Sequence, residues 1–298
     1  MYKRPSRAHV VEKLFVLPLE NGVFSHLDPD PRMQGKSVGI LREAGVEVDV
    51  IDDPALERQN EQFLHHMRTG RPFVHIKLAT TLDGRIAASG GDSRWVTGED
   101  ARLRAHELRA EAGAVLVGAN TVRIDDPMLT PRNLPVRSPR ITRVILDPRL
   151  TTNPESKLAR SAGEAPVVAF ASESTLAGPA IELERLGVEV VATPPSEEGL
   201  DLFHVLDELG GRGIKGLLVE GGGETATRFV RKGLTDKLTL FYAPKLLGSE
   251  GVPMIGALRA TKVTESLQFS VSEVGKAGND VAVTLYPSGE EECVHRAC

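Results

Sequence analysis

Three successive glycines follow an apolar run in the stretch LLVEGGGETATRF (217–229). Glycine loses much conformational entropy on folding, so a run of three at a strand end predicts positive φ angles or close approach of another group to the backbone. The next residues have a helical pattern, and the first N–H groups of a helix are unpaired and partly positive. Such a turn suits a pyrophosphate, although a tight turn without a ligand fits the same residues, and the spacing is not G-x-G-x-x-G.

Further polar residues lie where other predicted strands end. Lys77 lies in a predicted strand that the turn TLDG follows, and Ser93 and the single tryptophan, Trp95, lie in DSRWVTG. The loop GANTVRIDDPMLTPR (118–132) follows the next strand. Ligands of open α/β sheets bind outside the carboxyl ends of parallel strands. If this loop and the glycine turn share one crevice, their backbone N–H groups, arginines and carboxylates predict a site for two phosphorylated molecules.

Three basic residues share one face of the predicted helix 97–112. Arg102, His106 and Arg109 are spaced i, i+4 and i+7, and small apolar residues form a separate stripe made of Ala101, Ala105, Leu108 and Ala112. The basic stripe fits either a solvated helix face or the wall of a ligand site.

Several classes of chemistry are absent from the motifs. No nucleophile elbow, H-E-x-x-H or paired-cysteine zinc motif occurs, which excludes most hydrolase mechanisms. The two cysteines, Cys293 and Cys298, lie with His295 in the polar tail EECVHRAC and are too few to form a zinc site. We therefore predict no bound metal and a frayed C-terminal tail.

Composition limits the partners of the protein. The chain has 298 residues, of which 41% are hydrophobic and 26% are charged, as expected for one large domain plus an appendage. A net charge of -5 argues against nonspecific nucleic-acid binding, so local arginines must hold any anionic ligand. No apolar run approaches the ~20 residues of a membrane-spanning helix, and no leader pattern opens the chain. These features predict a cytoplasmic protein.

From Phe73 onward, short apolar runs alternate with helical patterns, which predicts a mainly parallel sheet covered on both faces. The predicted strands are 73–79, 114–118, 143–147, 165–172, 188–192 and 215–220, and the predicted helices are 97–112, about 176–186 and about 200–209. Thr97 and Asp100 predict a capping box at the start of the first helix. The last strands, 237–248, 267–275 and 280–287, have no helix between them and predict antiparallel edge strands.

The first seventy residues predict only a helix, a strand and a second helix, in PRMQGKSVGILREAG, VEVDVI and PALERQNEQFLHHMRTG. One helix-strand-helix piece cannot bury a sheet by itself. This part of the chain therefore has the pattern of the end of a larger domain.

Four stretches together resemble the reductase domain of the bifunctional riboflavin-biosynthesis deaminase/reductase: RPFVHIKLATTLDGRIAASGGDSRWVT, LRAEAGAVLVGANTVRIDDPMLTPR, VEGGGETATRF and YAPKLLG. The resemblance covers about residues 70 to 287. It implies a dihydrofolate-reductase-like α/β fold, with a mixed sheet, helices on both faces and antiparallel strands at the C-terminal end.

The same resemblance implies three parts: a truncated deaminase-domain remnant at 1–70, a reductase domain at 71–288 and a polar tail at 289–298. The deaminase half of the family is marked by H-x-E and P-C-x-x-C zinc ligands. This chain has neither motif. The resemblance therefore implies reduction without deamination.

The resemblance also carries ligand contacts onto particular residues. NADPH contacts fall on Ala79, Trp95, Thr121, Asp125, Pro148, Gly222, Gly223, Glu224, Thr225, Ala226, Thr227 and Arg228. Substrate contacts fall on Ser93, Arg109, Leu129, Arg132 and Glu220. The glycines would lie under the pyrophosphate, and Glu220 would hydrogen-bond the aminopyrimidine or the sugar hydroxyls. Arg109 and Arg132 would clamp the substrate phosphate, because planar guanidinium groups suit phosphate oxygens.

The implied reaction is NADPH-dependent reduction of 5-amino-6-(5-phosphoribosylamino)uracil to its ribitylamino product, with hydride delivered to the sugar C1′. Lys77 is the first candidate for proton donor or electrostatic stabiliser, and Asp125 is the second. A strand lysine that only extends its stem along apolar surface is the alternative for Lys77.

Two other functions fit the same sequence: a nonenzymatic protein that binds a nucleotide or a flavin precursor, and a reductase of another substrate such as a pterin. The pair Arg109 and Arg132 favours a phosphorylated sugar over a pterin. The resemblance further implies a homodimer, for which the apolar stretch LTLFYAP (238–244) would otherwise be an unprotected sheet edge.

Overall fold

The computed structural model describes residues 21–24, 35–51, 54–134, 139–175, 179–197 and 199–288. The chain divides into two units, Met1–Gly70 and Arg71–Cys298. The predicted tail 289–298, with both cysteines, lies outside the described residues. Within the described ranges, no helix is long and apolar enough to span a bilayer.

The described part of the first unit contains five elements: β1 (Asn21–Phe24), α1 (Lys36–Glu43), β2 (Glu47–Val50), α2 (Pro54–Gln59) and α3 (Glu61–Thr69). Strands β1 and β2 pair in parallel, and Val38, Leu41 and Val48 form a small apolar cluster. The predicted helix-strand-helix piece thus has one more strand before it, and its second helix is interrupted at Asn60.

The second unit is built on a sheet of nine strands. Its elements in chain order are β3 (Phe73–Thr81), β4 (Arg85–Ala87), α4 (Glu99–Glu111), β5 (Ala114–Gly118), α5 (Ala119–Asp125), β6 (Thr142–Leu146), α6 (Lys157–Arg160), β7 (Val167–Ser172), α7 (Pro179–Arg185), β8 (Val188–Thr193), β9 (Pro195–Ser196), β10 (Gly199–Leu200), α8 (Leu202–Gly211), β11 (Gly216–Glu220), α9 (Gly223–Arg231), β12 (Lys237–Ala243), β13 (Val252–Pro253), β14 (Phe269–Ala277) and β15 (Asp280–Pro287).

The strand order in this sheet is β14-β15-β12-β3-β11-β5-β6-β7-β8. The strands from β12 to β8 are parallel, and β15 and β14 are antiparallel additions at one side. The predicted mixed sheet is therefore confirmed. The predicted antiparallel orientation is wrong for β12, which pairs in parallel with β3 from Lys237 to Ala243. Helix α9 brings the chain back across the sheet after β11, and such a crossover leads to a parallel strand.

Alternate side chains of the strands enter two cores on opposite faces of the sheet. On one face, Ile76 and Leu78 of β3 share a core with residues of α8 and α9. On the other face, Leu218 of β11 and Phe241 of β12 share a core with Ala101 and Leu108 of α4. The predicted apolar stripe of α4 is therefore the buried one. Helices α9 and α4 cover opposite faces of the same central strands.

The start of α4 differs from the prediction. Gly98 is the N-cap residue and no side chain caps the helix, so the capping box predicted from Thr97 and Asp100 is wrong. The backbone N–H of Gly98 instead donates to Asp280 Oδ2 at 2.7 Å. A carboxylate far away in the sequence thus accepts from the N–H of the N-cap residue itself, while no side chain accepts from the N–H groups of the first turn.

The stretch predicted to be an unprotected edge is interior. Strand β12 lies between β3 and β15, and its Phe241 is fully buried. The outer strand on this side is β14, on which Val271 and Val274 are exposed. The unprotected sheet edge that a homodimer would cover is therefore β14 instead of residues 238–244. The dimer itself stays a prediction.

Candidate active site

The carboxyl ends of three adjacent parallel strands, β3, β11 and β5, lie at one edge of the sheet. The connection after β3 leads through α4 on one face, and the connection after β11 leads through α9 on the other face. This change of direction is where open α/β sheets form ligand crevices. The loop after β5 and the glycine turn are close, since a Cβ on Gly118 would lie 2.8 Å from Thr225 Oγ1.

The glycine turn leaves the first turn of α9 open. Gly222 is the N-cap, with φ -61° and ψ 160°, and no side chain caps the helix. The first intrahelical hydrogen bond runs from Ala226 N to Gly222 O at 3.3 Å, so the N–H groups of Gly223, Glu224 and Thr225 have no partner within the helix. A Cβ on Gly222 would meet no described atom within 4 Å. Open space and three donors suit a pyrophosphate.

The glycines of the turn differ in the structural reason for having no side chain. None of the three has a positive φ, so that part of the prediction is wrong. A Cβ on Gly223 would lie 2.5 Å from Pro253 O and 2.9 Å from Met254 O, so the protein's own backbone approaches it. Thr227 Oγ1 donates to Gly223 O and accepts a hydrogen bond from Gly256 N at 2.7 Å, which ties the same segment to α9.

The side chains of the later residues in this stretch lie in different environments. Ala226 is fully buried in the core beneath α9. Arg228 Nη2 donates to Leu200 O at 2.8 Å, beside β10. Glu224 is exposed. In this stretch, the N–H groups of the first helical turn therefore lack a partner within the helix, and the open space lies at Gly222.

Lys77, Glu220 and Arg109 form a cluster of charges on the face covered by α4. Lys77 and Glu220 are register partners on β3 and β11, so their side chains share one face. Arg109 reaches across from α4 and donates through Nε to Glu220 Oε1 at 2.5 Å and through Nη2 to Glu220 Oε2 at 2.7 Å. The two side chains are 13% and 12% exposed. The basic stripe of α4 is therefore not an ordinary solvated face at Arg109.

The cluster shifts the proton affinities of its members. Burial raises the pKa of Glu220, but the charge of Arg109, its hydrogen bonds and the charge of Lys77 outweigh burial and leave that pKa below its usual value. Burial lowers the pKa of Lys77, and Arg109 adds to this effect while Glu220 opposes it. A lysine with a lowered pKa is a stronger acid than an exposed lysine, which suits a proton donor.

Of the two arginines predicted to clamp the substrate phosphate, Arg109 is engaged by protein atoms and Arg132 is exposed. Arg109 Nη1 lies 3.4 Å from His106 Nδ1 and 3.5 Å from Thr130 O, so every nitrogen of its guanidinium group faces a protein atom. Burial and the charges of Arg109 and Arg132 lower the pKa of His106. Arg132 is exposed, and no hydrogen bond or ion pair of its side chain is found within the described ranges.

The loop after β5 places its candidate residues in different environments. The side chain of Leu129 is buried in the core, and its φ is 55°. Thr121 and Asp125 are half-buried on α5, and Asp125 O accepts from Arg94 Nη2 at 2.9 Å. The neighbouring Asp126 Oδ1 accepts from Lys157 N at 2.8 Å, which joins this loop to α6.

The remaining candidates lie around the same edge of the sheet. Ala79 is two residues after Lys77 on β3 and faces the same side, and Ser93 is half-buried. Trp95 is 64% exposed, and the Arg102 guanidinium carbon lies 4.5 Å from its ring centroid. The carbonyl of Pro148 accepts from Ser172 N and Thr175 Oγ1, so both of its lone pairs are used.

Sequence reasoning missed two residues that organise the crevice. Asp83 accepts from Thr81 Oγ1 at 2.5 Å and from Gly248 N at 2.6 Å, and the bond from Thr81 lowers its pKa. Lys245 Nζ donates to Trp95 O at 2.7 Å. Both residues lie in quoted motifs, TLDG and YAPKLLG, but their partners are far away in the sequence. No group of three or more His, Cys, Asp or Glu among the described residues could hold a metal ion.

Comparison with known proteins agrees with this architecture. The chain matches the RibD C-terminal domain family over residues 72–283. It is 39% identical over 262 residues to the riboflavin biosynthesis protein RibD of Aquifex aeolicus, a match that covers 88% of this chain and 71% of that protein.

Solved structures show the same similarity. RibD of Acinetobacter baumannii superposes with a TM-score of 0.81 at 31% identity, covering 93% of this chain and 76% of that one. A diaminohydroxyphosphoribosylaminopyrimidine deaminase/5-amino-6-(5-phosphoribosylamino)uracil reductase from Thermotoga maritima superposes with a TM-score of 0.77 at 30% identity, covering 93% and 74%. By its sequence match and its sheet, this chain belongs to the RibD C-terminal domain family, and the family resemblance noted in its motifs is confirmed.

Proposed function

We propose that this protein is an NADPH-dependent oxidoreductase that reduces the ribose of 5-amino-6-(5-phosphoribosylamino)uracil to the ribityl form. The observation that carries the proposal is the position of the Lys77, Glu220 and Arg109 cluster at the same sheet edge as the open first turn of α9. One side of the crevice supplies donors for a pyrophosphate, and the other supplies an acid and a paired carboxylate for a sugar.

NADPH supplies the hydride in this proposal. The N–H groups of Gly223, Glu224 and Thr225 would hold its pyrophosphate, since they have no partner within the helix and the space before Gly222 is open. The exposed ring of Trp95 offers a planar surface on which a ring of the nucleotide would stack. Holding both reactants in one crevice brings C1′ to the hydride donor, and such alignment is a large part of the rate.

Lys77 is the proposed acid. When the sugar ring opens, the C1′–O4′ bond breaks and a C1′=N bond forms; the hydride adds to C1′ and a proton must reach O4′. The lowered pKa of Lys77 favours release of the Nζ proton to that oxygen. Asp125, which is half-buried at the end of α5, is the alternative donor.

Glu220 is proposed to accept hydrogen bonds from the substrate. Both of its oxygens bind Arg109, which fixes the carboxylate and keeps it ionised. Each carboxylate oxygen has a further lone pair available for a sugar hydroxyl or a pyrimidine N–H. Arg132, which is exposed, is the side chain proposed to bind the 5′-phosphate, and Arg109 adds its charge nearby.

The test is reduction by the purified full chain. We expect NADPH oxidation with the phosphoribosylaminopyrimidine and formation of an equal amount of ribitylamino product. The same pyrimidine without its 5′-phosphate should react poorly, and a pterin should not react. Binding of NADPH without oxidation would replace the proposal with a nonenzymatic binding function. NADPH oxidation with the pterin but not with the phosphoribosylaminopyrimidine would show that the proposed substrate is wrong.

A further inference from the structure

Residues 92–98, here called the Trp95 strap, are tied to both sides of the crevice. Arg94 Nη2 donates to Asp125 O at 2.9 Å, at the end of α5 beyond β5. Lys245 Nζ donates to Trp95 O at 2.7 Å from the loop after β12. Strands β5 and β12 lie on opposite sides of β3 and β11. The two cationic side chains therefore hold the strap across the strand ends where Lys77 and Glu220 lie.

The indole ring itself is held but left open. The guanidinium carbon of Arg102 lies 4.5 Å from the ring centroid, and its Nη1 donates to Thr97 O at 2.8 Å. Trp95 is nevertheless 64% exposed. Tryptophan is usually well buried, and no described apolar cluster contains this side chain. An exposed ring held by one guanidinium group is arranged as a surface for stacking and not as part of a core.

We propose that Lys245 and Arg94 are positioning residues that fix the Trp95 strap before the cofactor binds. The open indole surface is then in place to meet a planar ring of the nucleotide. This inference rests on the function proposed above. A strap that is already ordered loses less conformational entropy when the ligand binds. Both residues bind backbone carbonyls and act on the cofactor only through Trp95 and Asp125.

The expected effect follows from the exposed, charge-assisted nature of these bonds. We expect loss of the Lys245 bond to weaken NADPH binding about 3- to 10-fold, because solvent reduces the strength of an exposed charged hydrogen bond. The KM for NADPH should rise more than kcat falls. The KM for the pyrimidine should change less than the KM for NADPH, because Ser93 is the one residue of the strap among the candidate substrate contacts.

Trp95 provides its own reporter, because it is the single tryptophan of the chain. In the ligand-free Lys245→Met variant, acrylamide should quench Trp95 fluorescence more strongly than in the wild type, since the strap is less ordered. Lys262→Met is the matched control, because Lys262 is exposed on another loop and its side chain has no contact with the strap among the described residues. Lys245→Arg should retain the donor and restore most of the NADPH affinity.

A second pair of variants separates positioning from general destabilisation. In a Trp95→Ala background, Lys245→Met should leave the KM for NADPH unchanged, because the indole ring that Lys245 positions is absent although the backbone carbonyl it binds remains. Quenching and NADPH affinity equal to those of Lys262→Met would overturn the proposal, as would an undiminished Lys245 effect in the Trp95→Ala background. Wild-type protein that fails to bind NADPH would overturn the proposed function as well. If the wild type is active but Lys245→Met has the same quenching and NADPH affinity as the wild type, this inference alone would be overturned.

Discussion

Arg109→Met tests whether the Arg109 and Glu220 pair is a buried structural and functional unit. Both side chains are almost fully enclosed and joined by two hydrogen bonds of 2.5 and 2.7 Å. Removing one partner of a buried pair typically costs about 3 to 5 kcal/mol, because the other charge is left without compensation. Lys77 lies beside Glu220 and offsets part of that cost. We therefore expect the free energy of unfolding to fall by about 2 to 4 kcal/mol.

The assay is urea denaturation followed by far-UV circular dichroism, with Arg104→Met as the control. Arg104 lies on the same helix, is 49% exposed and pairs with Glu107 at 2.7 Å. Such exposed pairs contribute about 0 to 1 kcal/mol. Arg109→Lys should recover only part of the stability, because an ammonium group cannot bind both carboxylate oxygens as a fork does.

The pH dependence gives a further check of the same reasoning. The lowered pKa of Glu220 in the wild type stabilises the fold above the unfolded-state pKa, and this contribution is lost as pH falls through the folded-state pKa. Without Arg109, burial would dominate and raise the pKa of Glu220. The stability difference between wild type and Arg109→Met should therefore shrink as the pH is lowered from neutral towards about 4.

Steady-state kinetics distinguish an effect on substrate binding from an effect on cofactor binding. Arg109→Met should raise the KM for the phosphorylated pyrimidine and leave NADPH affinity nearly unchanged, because the first turn of α9 is on the other face of the sheet. An Arg109→Met variant that is within about 1 kcal/mol of Arg104→Met in stability and has unaltered kinetics would refute the assignment of this cluster.

Four further predictions follow from other parts of the structure. Gly222→Val should weaken NADPH binding and leave the fold intact, because its Cβ meets only open space, whereas Gly223→Val should also lower the free energy of unfolding, because two backbone carbonyls lie against it; equal NADPH affinity of Gly222→Val and wild type would show that this glycine serves only the turn. His75, whose pKa burial and the charges of Lys237 and Arg104 lower from 6.5 to about 3, is neutral in the fold but gains a proton on unfolding below its unfolded-state pKa. Stability should therefore fall by about 2 kcal/mol between about pH 6.5 and 5, and His75→Gln should flatten this slope in urea titrations. We expect a homodimer that uses the exposed β14 edge, so Val271→Lys with Val274→Lys should reduce its sedimentation coefficient, and wild type that sediments only as a monomer at micromolar concentration would contradict the prediction. Metal analysis of the purified protein should find no stoichiometric zinc, and one tightly held zinc per chain would show that ligands were overlooked.

Much of the local structure follows from the sequence. The strand predicted at 114–118 is Ala114–Gly118, and the helix predicted at 97–112 is Glu99–Glu111. Side-chain periodicity and the distinctive combination of motifs are local properties of the chain, so they identify the elements and the family without knowledge of tertiary contacts. The same motifs show that polar residues follow the strands that end at the crevice.

Only the tertiary structure decided how these pieces meet. Arg109 could have lain on a solvated face, but it binds Glu220, which is 111 residues away, because α4 crosses the end of β11. Position 223 requires glycine because the backbone of Pro253 lies against it and leaves no room for a Cβ. The run of glycines in the sequence does not by itself indicate this contact. The direction of β12 was also mispredicted from its neighbours in sequence. In each case the partner is distant along the chain, and local propensity and periodicity carry no information about contacts that form only when the sheet is assembled.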